Sequence, residues 1–262
     1  MSVDVSTVQL FSVRESFVQD PDLVRRKLLA VGIGAVELFG LGGLGPDADT
    51  VRALSDGGLG LAGAHAQFIV LDDEGVLRRD EVERVVALAA DLGLTELILP
   101  RGPGAPGKIP PADYVGARLA ALINEAVPIA QTYGISLGYH NHWWEFTESG
   151  EGGRPHFYEF VDALDSEAFL EVDTYWAASA GVDVPQLLRQ LGTRVRKVHL
   201  KDGGFARDGS GQVPLGDGGL AVESVLDATA AEAVIEFDRY DGDVFEAIRR
   251  SADFLRNLEE RR

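Results

Sequence analysis

The sequence contains no cysteine. Disulfides, thiolate metal sites and cysteine nucleophiles are therefore excluded. Positive charge is in short supply: 24 Lys and Arg stand against 42 Asp and Glu, a net charge of −18. Such a chain repels phosphate backbones and anionic membrane surfaces unless it gathers its few bases into one groove. No apolar run approaches the roughly 18 residues needed to span a bilayer. The opening Met1-Ser2-Val3-Asp4-Val5 is acidic and too short of apolar length for a signal peptide. The expectation is a cytoplasmic protein with neither nucleic-acid nor membrane partners. The glycine-rich stretches 40–45 and 57–63 lack the Gly-Lys-Ser/Thr ending and the dinucleotide glycine spacing, which gives nucleotide binding little support. Histidine is also scarce, five in 262 residues, so where each one falls is informative.

What the chain does contain is ordinary globular material, 45% hydrophobic and 25% charged. Its length lies near the roughly 250 residues common for an α/β barrel. Eight short apolar runs read as strands: 8–13, 35–39, 60–65, 96–100, 136–140, 169–173, 195–200 and 234–237. Most are continuous rather than alternating, as suits parallel strands buried on both faces. Helical patterns lie between them. Asp20-Pro21 reads as an N-cap with proline at the first helical position. Val82, Val85, Val86, Ala89 and Leu92 step by three or four and stop at Gly93. Val115 through Tyr133 does the same, with Pro128 inside the pattern as an expected kink. A last helix begins near Asp243.

Strand starts recur at the length of a βα unit down the whole chain, with no composition break. This predicts one (β/α)8 TIM barrel in a single domain spanning residues 1–262. A doubly wound open sheet is the alternative. Residues 149–153 and 203–219 are glycine-rich loops following strands five and seven, on the face where a barrel keeps its active site.

Polar residues gather where strands end. Glu37 lies at the end of strand two, His65 of strand three, His140 and His142 of strand five, and Asp173 of strand six. His199 and Lys201 follow at strand seven and Glu236 at strand eight. Four of the five histidines are in this set. In a barrel these ends converge on one mouth. Asp173, His199 and Glu236 form a carboxylate–imidazole–carboxylate set without thiols. It suits Mn²⁺ first, with Mg²⁺, Co²⁺ or Zn²⁺ as alternatives. Singly, Asp173 reads equally as a helix cap and His199 as a satisfied core histidine. Glu236 inside Val-Ile-Glu-Phe is costly unless paired or metal-bound.

His140 and His142 share one strand face by their period of two and are candidate bases. Lys201, two residues past His199, is a candidate to hold a developing oxyanion. Glu37 and His65 are candidates for substrate hydroxyls, and Trp144, beside Trp143, for a wall against a sugar face. Each has a structural alternative in packing at the barrel rim. His156, next to Pro155, is expected to be solvent-exposed.

The ordered fragments VQLFSVRE (8–15), AVELFG (35–40), LGYHNHWWEF (137–146), EVDTYW (171–176), VHLKD (198–202), VPLGDG (213–218) and VIEFD (234–238) together resemble the xylose isomerase-like TIM-barrel family of sugar phosphate isomerases and epimerases. The resemblance implies one divalent metal held by a strand-five Glu, a strand-six Asp, a strand-seven His and a strand-eight Glu. The last three carry over to Asp173, His199 and Glu236. The first does not, because His140 stands where many members place Glu. Either His140 takes that position or Glu145 reaches back from the loop; Glu145 is preferred, as it supplies a hard oxygen and leaves both histidines for proton transfer. Relatives with a similar Tyr-His-Asn-His pattern act on keto-sugars and 3-keto-glycosides.

The resulting expectation is a metal-dependent isomerase or epimerase of a small carbohydrate, acting by proton abstraction next to a carbonyl. A lyase or dehydratase of keto-polyols or 3-keto-glycosides shares the first half of that chemistry. An abasic-site endonuclease fits the net charge and histidine count poorly. A non-catalytic sugar-binding barrel has no use for an open metal site. The reading leaves room for a homo-oligomer.

Overall fold

The computed structural model describes residues 7–104, 115–147 and 153–261. The strands are β1 (Thr7–Gln9), β2 (Ala35–Leu38), β3 (Gly60–His65), β4 (Glu96–Leu99), β5 (Ser136–His140), β6 (Phe169–Asp173), β7 (Val195–Leu200), β8 (Asp202–Gly203), β9 (Gln212–Val213) and β10 (Glu232–Ile235). All but β8 and β9 form a closed barrel in the order β1-β10-β7-β6-β5-β4-β3-β2. Every pairing in it is parallel, and the pairs Thr7 with Val234 and Val8 with Ile235 close the ring. That closure excludes the open doubly wound sheet and establishes the (β/α)8 TIM barrel.

The surrounding helices are α1 (Arg14–Gln19), α2 (Pro21–Ala30), α3 (Ala48–Asp56), α4 (Arg79–Asp91), α5 (Ala117–Gln131) and α6 (Trp144–Thr147). They continue with α7 (His156–Ala163), α8 (Thr174–Ser179), α9 (Val184–Leu191), α10 (Val222–Asp227) and α11 (Val244–Glu260). Local signals set their ends. Asp20 accepts a hydrogen bond from the Leu23 N–H at 2.8 Å, with Pro21 opening α2. In α11 the buried Ile248, Ala252, Leu255 and Leu258 repeat at three and four residues and turn one stripe to the barrel. The expected helix over 115–133 is α5, which continues through Pro128.

Alternation decides which side chains enter the barrel. On β6, Leu170 and Val172 join the hydrophobic core, whereas Glu171 and Asp173 belong to the polar interior. On β7 the same period places Lys197, His199 and, just past the strand, Lys201 in one column, all at most 1% exposed. Register then sets neighbours: His140 lies opposite Glu171, and Asp173 opposite His199.

Four sequence expectations shift. The first strand stops at Gln9 and residues 10–13 form a 3-10 turn, because the Gln9 side chain accepts from the Phe11 N–H and curls the chain inward. The eighth barrel strand, β10, starts at Glu232 and ends at Ile235, one residue before Glu236. The loop over 203–219 contains the β8–β9 hairpin. The buried Asp202 carboxylate organises it by accepting from the N–H groups of Gly203, Gly216, Gly218 and Leu220. Most of the expected loop over 149–153 lies outside the described residues. His156 is half-buried rather than exposed: it opens α7 and pairs with Glu159 at 3.1 Å. No helix among the described residues is long and apolar enough to cross a membrane.

Candidate metal centre and active-site cavity

At the C-terminal mouth of the barrel, His140, Asp173, His199 and Glu236 each offer one donor atom, and these atoms lie within 4.8 Å of one another. All four residues are buried. Asp173 is held by its neighbours. The Asn141 side chain accepts from the Asp173 N–H at 3.0 Å and donates to its carbonyl at 3.2 Å, tying the end of β5 to the end of β6. Asp173 Oδ1 accepts from the Trp176 N–H at 2.8 Å and caps α8. The cap and the metal-ligand readings of Asp173 are therefore compatible, since Oδ2 remains available. That oxygen lies 2.8 Å from Lys201 Nζ in an ion pair.

Directly beneath lies a second layer. His65, His140, Glu171 and His199 form an overlapping donor group. Glu171 Oε2 is 2.6 Å from His65 Nε2 and 3.0 Å from His140 Nδ1. His199 Nε2 is 2.8 Å from Glu37 Oε1, while its Nδ1 is 2.7 Å from Glu236 Oε2. Gln9 donates to Glu37 Oε1 at 2.7 Å. Each of the two central imidazoles thus turns one nitrogen down to the Glu37/Glu171 layer and the other up to the Asp173/Glu236 layer. A carboxylate on the lower nitrogen fixes the tautomer and frees the upper lone pair for coordination.

The electrostatics fit a cation. Five carboxylates, those of Glu37, Glu171, Asp173, Glu236 and Asp238, share this space with the Lys201 ammonium. Glu37 Oε2 and Glu171 Oε1 are buried without hydrogen-bond partners. The donor set of two imidazoles and two carboxylates suits a borderline-hard divalent ion.

Burial works against charge on His65, yet Glu171 and Glu37 outweigh it and raise its pKa to about 9. Burial likewise opposes the Lys201 ammonium, but Asp173, Asp238 and Glu236 keep its pKa well above the usual lysine range. Lys201 is therefore a fixed cation, with Nζ 2.8 Å from Asp238 and 2.7 Å from Glu236. Gln212 also donates to the same Asp238 oxygen at 2.9 Å and orients it. His142 behaves oppositely. Burial, with His140 and Lys201 nearby, depresses its pKa well below 6.5, and its Nδ1 has no partner. The ring stacks on Trp144 at 4.1 Å and lies 6.2 Å from Trp176.

A cavity of about 560 Å³ opens beside this cluster, and His65, His140, His142 and Glu236 line it. The residues singled out from sequence divide accordingly. His140, Asp173, His199, Glu236, Lys201 and His65 come together. His142 adjoins them, its ring centroid 5.1 Å from that of His140. Glu145 does not join the donor group: its oxygens accept from the Tyr139 hydroxyl at 2.7 Å and the His142 N–H at 2.9 Å. Folded back against β5, it braces His142. Glu37 is buried beneath His199, away from the cavity wall, so it supports the site from below rather than meeting substrate. Trp144 reaches the site through its stack on His142. Sequence reasoning missed Glu171, Asn141, Asp238 and Gln212. Glu171 had a signal, being a carboxylate in the apolar strand Phe-Leu-Glu-Val-Asp, two residues from Asp173 and so on its face.

The barrel is closed and parallel, and at its mouth sits a buried carboxylate–imidazole cluster that could hold a metal ion. The chain belongs to the xylose isomerase-like TIM barrel family, whose model matches residues 26–258. No curated protein sequence matches it significantly. Among solved structures, a sugar phosphate isomerase/epimerase from Parabacteroides distasonis is 20% identical, with a TM-score of 0.77 over 97% of this chain and 94% of that one. An L-ribulose 3-epimerase is 16% identical, with a TM-score of 0.69 over 97% and 94%. The IolI protein, solved with a zinc atom, is 15% identical, with a TM-score of 0.70 over 97% and 98%. At these identities the likeness is one of fold.

Proposed function

We propose that the protein is a divalent-metal-dependent isomerase or epimerase of a sugar or keto-sugar, working by proton abstraction next to a carbonyl. The observation that carries this reading is the convergence of His140, Asp173, His199 and Glu236 within 4.8 Å beside a cavity that His142, whose buried Nδ1 has no partner, also lines. We assign these four as metal ligands, with His140 in the strand-five position. The sugar isomerase and epimerase neighbours support the substrate class, and the zinc-bound IolI neighbour supports the metal. Mn²⁺ is the preferred ion on the mixed nitrogen and oxygen donors, with Mg²⁺, Co²⁺ and Zn²⁺ as alternatives.

The chemistry such an ion supplies is Lewis acidity, which polarises a carbonyl and acidifies the neighbouring C–H. The remaining work falls to the chain. His142, neutral because its pKa is depressed, accepts the proton at a ring nitrogen. Glu145 holds the His142 backbone, and Trp144 fixes the ring plane. The Lys201 ammonium, held by Asp173, Glu236 and Asp238, adds fixed positive charge beside the proposed ligands, where negative charge develops. Return of the proton by His142 to the adjacent carbon isomerises the substrate, whereas epimerisation takes a different proton from an acid on the opposite face.

The test is turnover of a keto-sugar panel in D₂O with Mn²⁺-loaded protein. Deuterium should enter product at the carbon next to the carbonyl, and chelation should abolish turnover. Turnover with intramolecular transfer of a substrate-derived hydrogen between C1 and C2, and no solvent label, would replace proton abstraction by a hydride shift.

A further inference from the structure

The cavity beside the metal cluster has two unlike halves. One carries His140, His142, Glu236 and Asp238. The other, beyond the ends of β1, β2 and β4, is mostly apolar: Phe11, Phe39, Leu41, Leu44 and Pro100 line it, with Gln67 and Arg101 beside them. Phe11 and Phe39 are half-buried and meet edge to face, ring centroids 6.0 Å apart at 76°. Phe39 rests in turn on the buried Phe17 at 6.3 Å, and the Arg14 guanidinium covers Phe11 at 4.0 Å. The wall is thus braced from behind. Leu44, at the lip, is 90% exposed.

The loop that presents Leu44 is fixed in shape. Gly45 N–H donates to the Gly40 carbonyl at 2.8 Å, and Gly40 adopts φ 61°. A Cβ on Gly45 would collide with the Phe39 carbonyl oxygen. The tight turn therefore holds the leucine against the cavity mouth. The volume, about 560 Å³, falls in the range that encloses a drug-sized ligand, which is larger than a single hexose. The cationic groups among the described lining residues are Arg101 and the His65 imidazolium, and Glu236 and Asp238 line the same cavity.

We propose that this apolar half is a substrate subsite for a ring-sized apolar substituent, so that the enzyme takes a carbohydrate carrying such a group in preference to a sugar phosphate. The assignment rests on the sugar-isomerase reading for the carbohydrate itself and extends it to what the carbohydrate carries. The sugar's vicinal oxygens lie toward His140 and Glu236, and the substituent lies between Phe11 and Leu44.

The experiment is calorimetric titration of the Mn²⁺-loaded full chain with phenyl and methyl β-glycosides of glucose, galactose and mannose, and with the corresponding 6-phosphates. For whichever sugar binds, the phenyl glycoside should bind about tenfold more tightly than the methyl glycoside, the scale of burying one ring against apolar walls. Leu44→Asp, at an exposed position, should erase that advantage, and Phe11→Ala should reduce it. Equal phenyl and methyl affinities, tighter binding of a phosphate, or no binding by any phenyl glycoside overturns the proposal. An oligomer that Leu44→Asp dissociates, with the phenyl preference intact, assigns the leucine to a second copy and also overturns it. A phenyl preference that survives chelation, with no metal bound in the loaded sample, keeps the subsite and defeats the metal reading instead.

Discussion

His140 Nδ1 lies 3.0 Å from Glu171 Oε2, both residues buried on adjacent strands whose register sets them side by side. This contact turns His140 Nε2 toward Asp173 Oδ2, 3.6 Å away, at the upper layer of the site. Glu171 thereby acts on a ligand without being one of the proposed four. Replacing it by Gln keeps the shape but weakens the anchor. Glu171→Gln should lower Mn²⁺ affinity by about 10–100-fold, measured by competition with a chelator. Unchanged affinity would reduce Glu171 to packing.

The strand-five ligand is decided by a pair of variants. His140→Gln should lose most of its metal. Glu145→Gln should keep it but destabilise the fold by about 1–3 kcal/mol, the cost of disturbing a buried carboxylate bonded to Tyr139 and the His142 backbone. Metal analysis and denaturant melts separate the two effects. Metal loss in Glu145→Gln with His140→Gln silent would restore Glu145 as the ligand.

His142→Gln should retain full metal content and lose about 10²–10⁴-fold in turnover, as expected for a general base. Steady-state kinetics on any substrate found in the keto-sugar panel would show it. A variant with unimpaired kcat would pass the base role to another group at the mouth.

The barrel was legible because its strands are continuous apolar runs at βα spacing and its helices carry caps such as Asp20-Pro21. Convergence at the mouth followed from the closed topology, so Asp173, His199, Glu236 and Lys201 could be placed from residue type and strand end alone. Glu171 and Asn141 were harder to read. Their roles come from register across β5 and β6, which a single strand's pattern does not encode. The position of Glu145 was hard to read for a related reason. Its type suited a hard metal, but the three-residue return of the chain after β5 bends it back onto the His142 N–H.

The metal-free protein should lose stability as pH rises. The pKa of His65 is raised to about 9 from the 6.5 of an unperturbed histidine, so folding strengthens its hold on a proton. That contribution is complete below pH 6.5 and disappears as pH climbs through 9. His199 shifts in the same direction, as Glu171, Glu236 and Glu37 outweigh its burial. Thermal melts of chelator-treated protein from pH 6.5 to 9.5 should show a falling Tm, with a shallower fall in His65→Gln. A flat profile in the wild type would contradict the buried imidazolium.

The central claim is that His140, Asp173, His199 and Glu236 hold one divalent ion at the barrel mouth. Titration of Mn²⁺ into chelator-treated protein, followed by calorimetry, tests it most directly. The account predicts one equivalent bound by the wild type and binding reduced well below the wild-type level in Asp173→Ala and Glu236→Ala. Absence of binding by the folded wild type, or equal binding by the wild type and both variants, would contradict it.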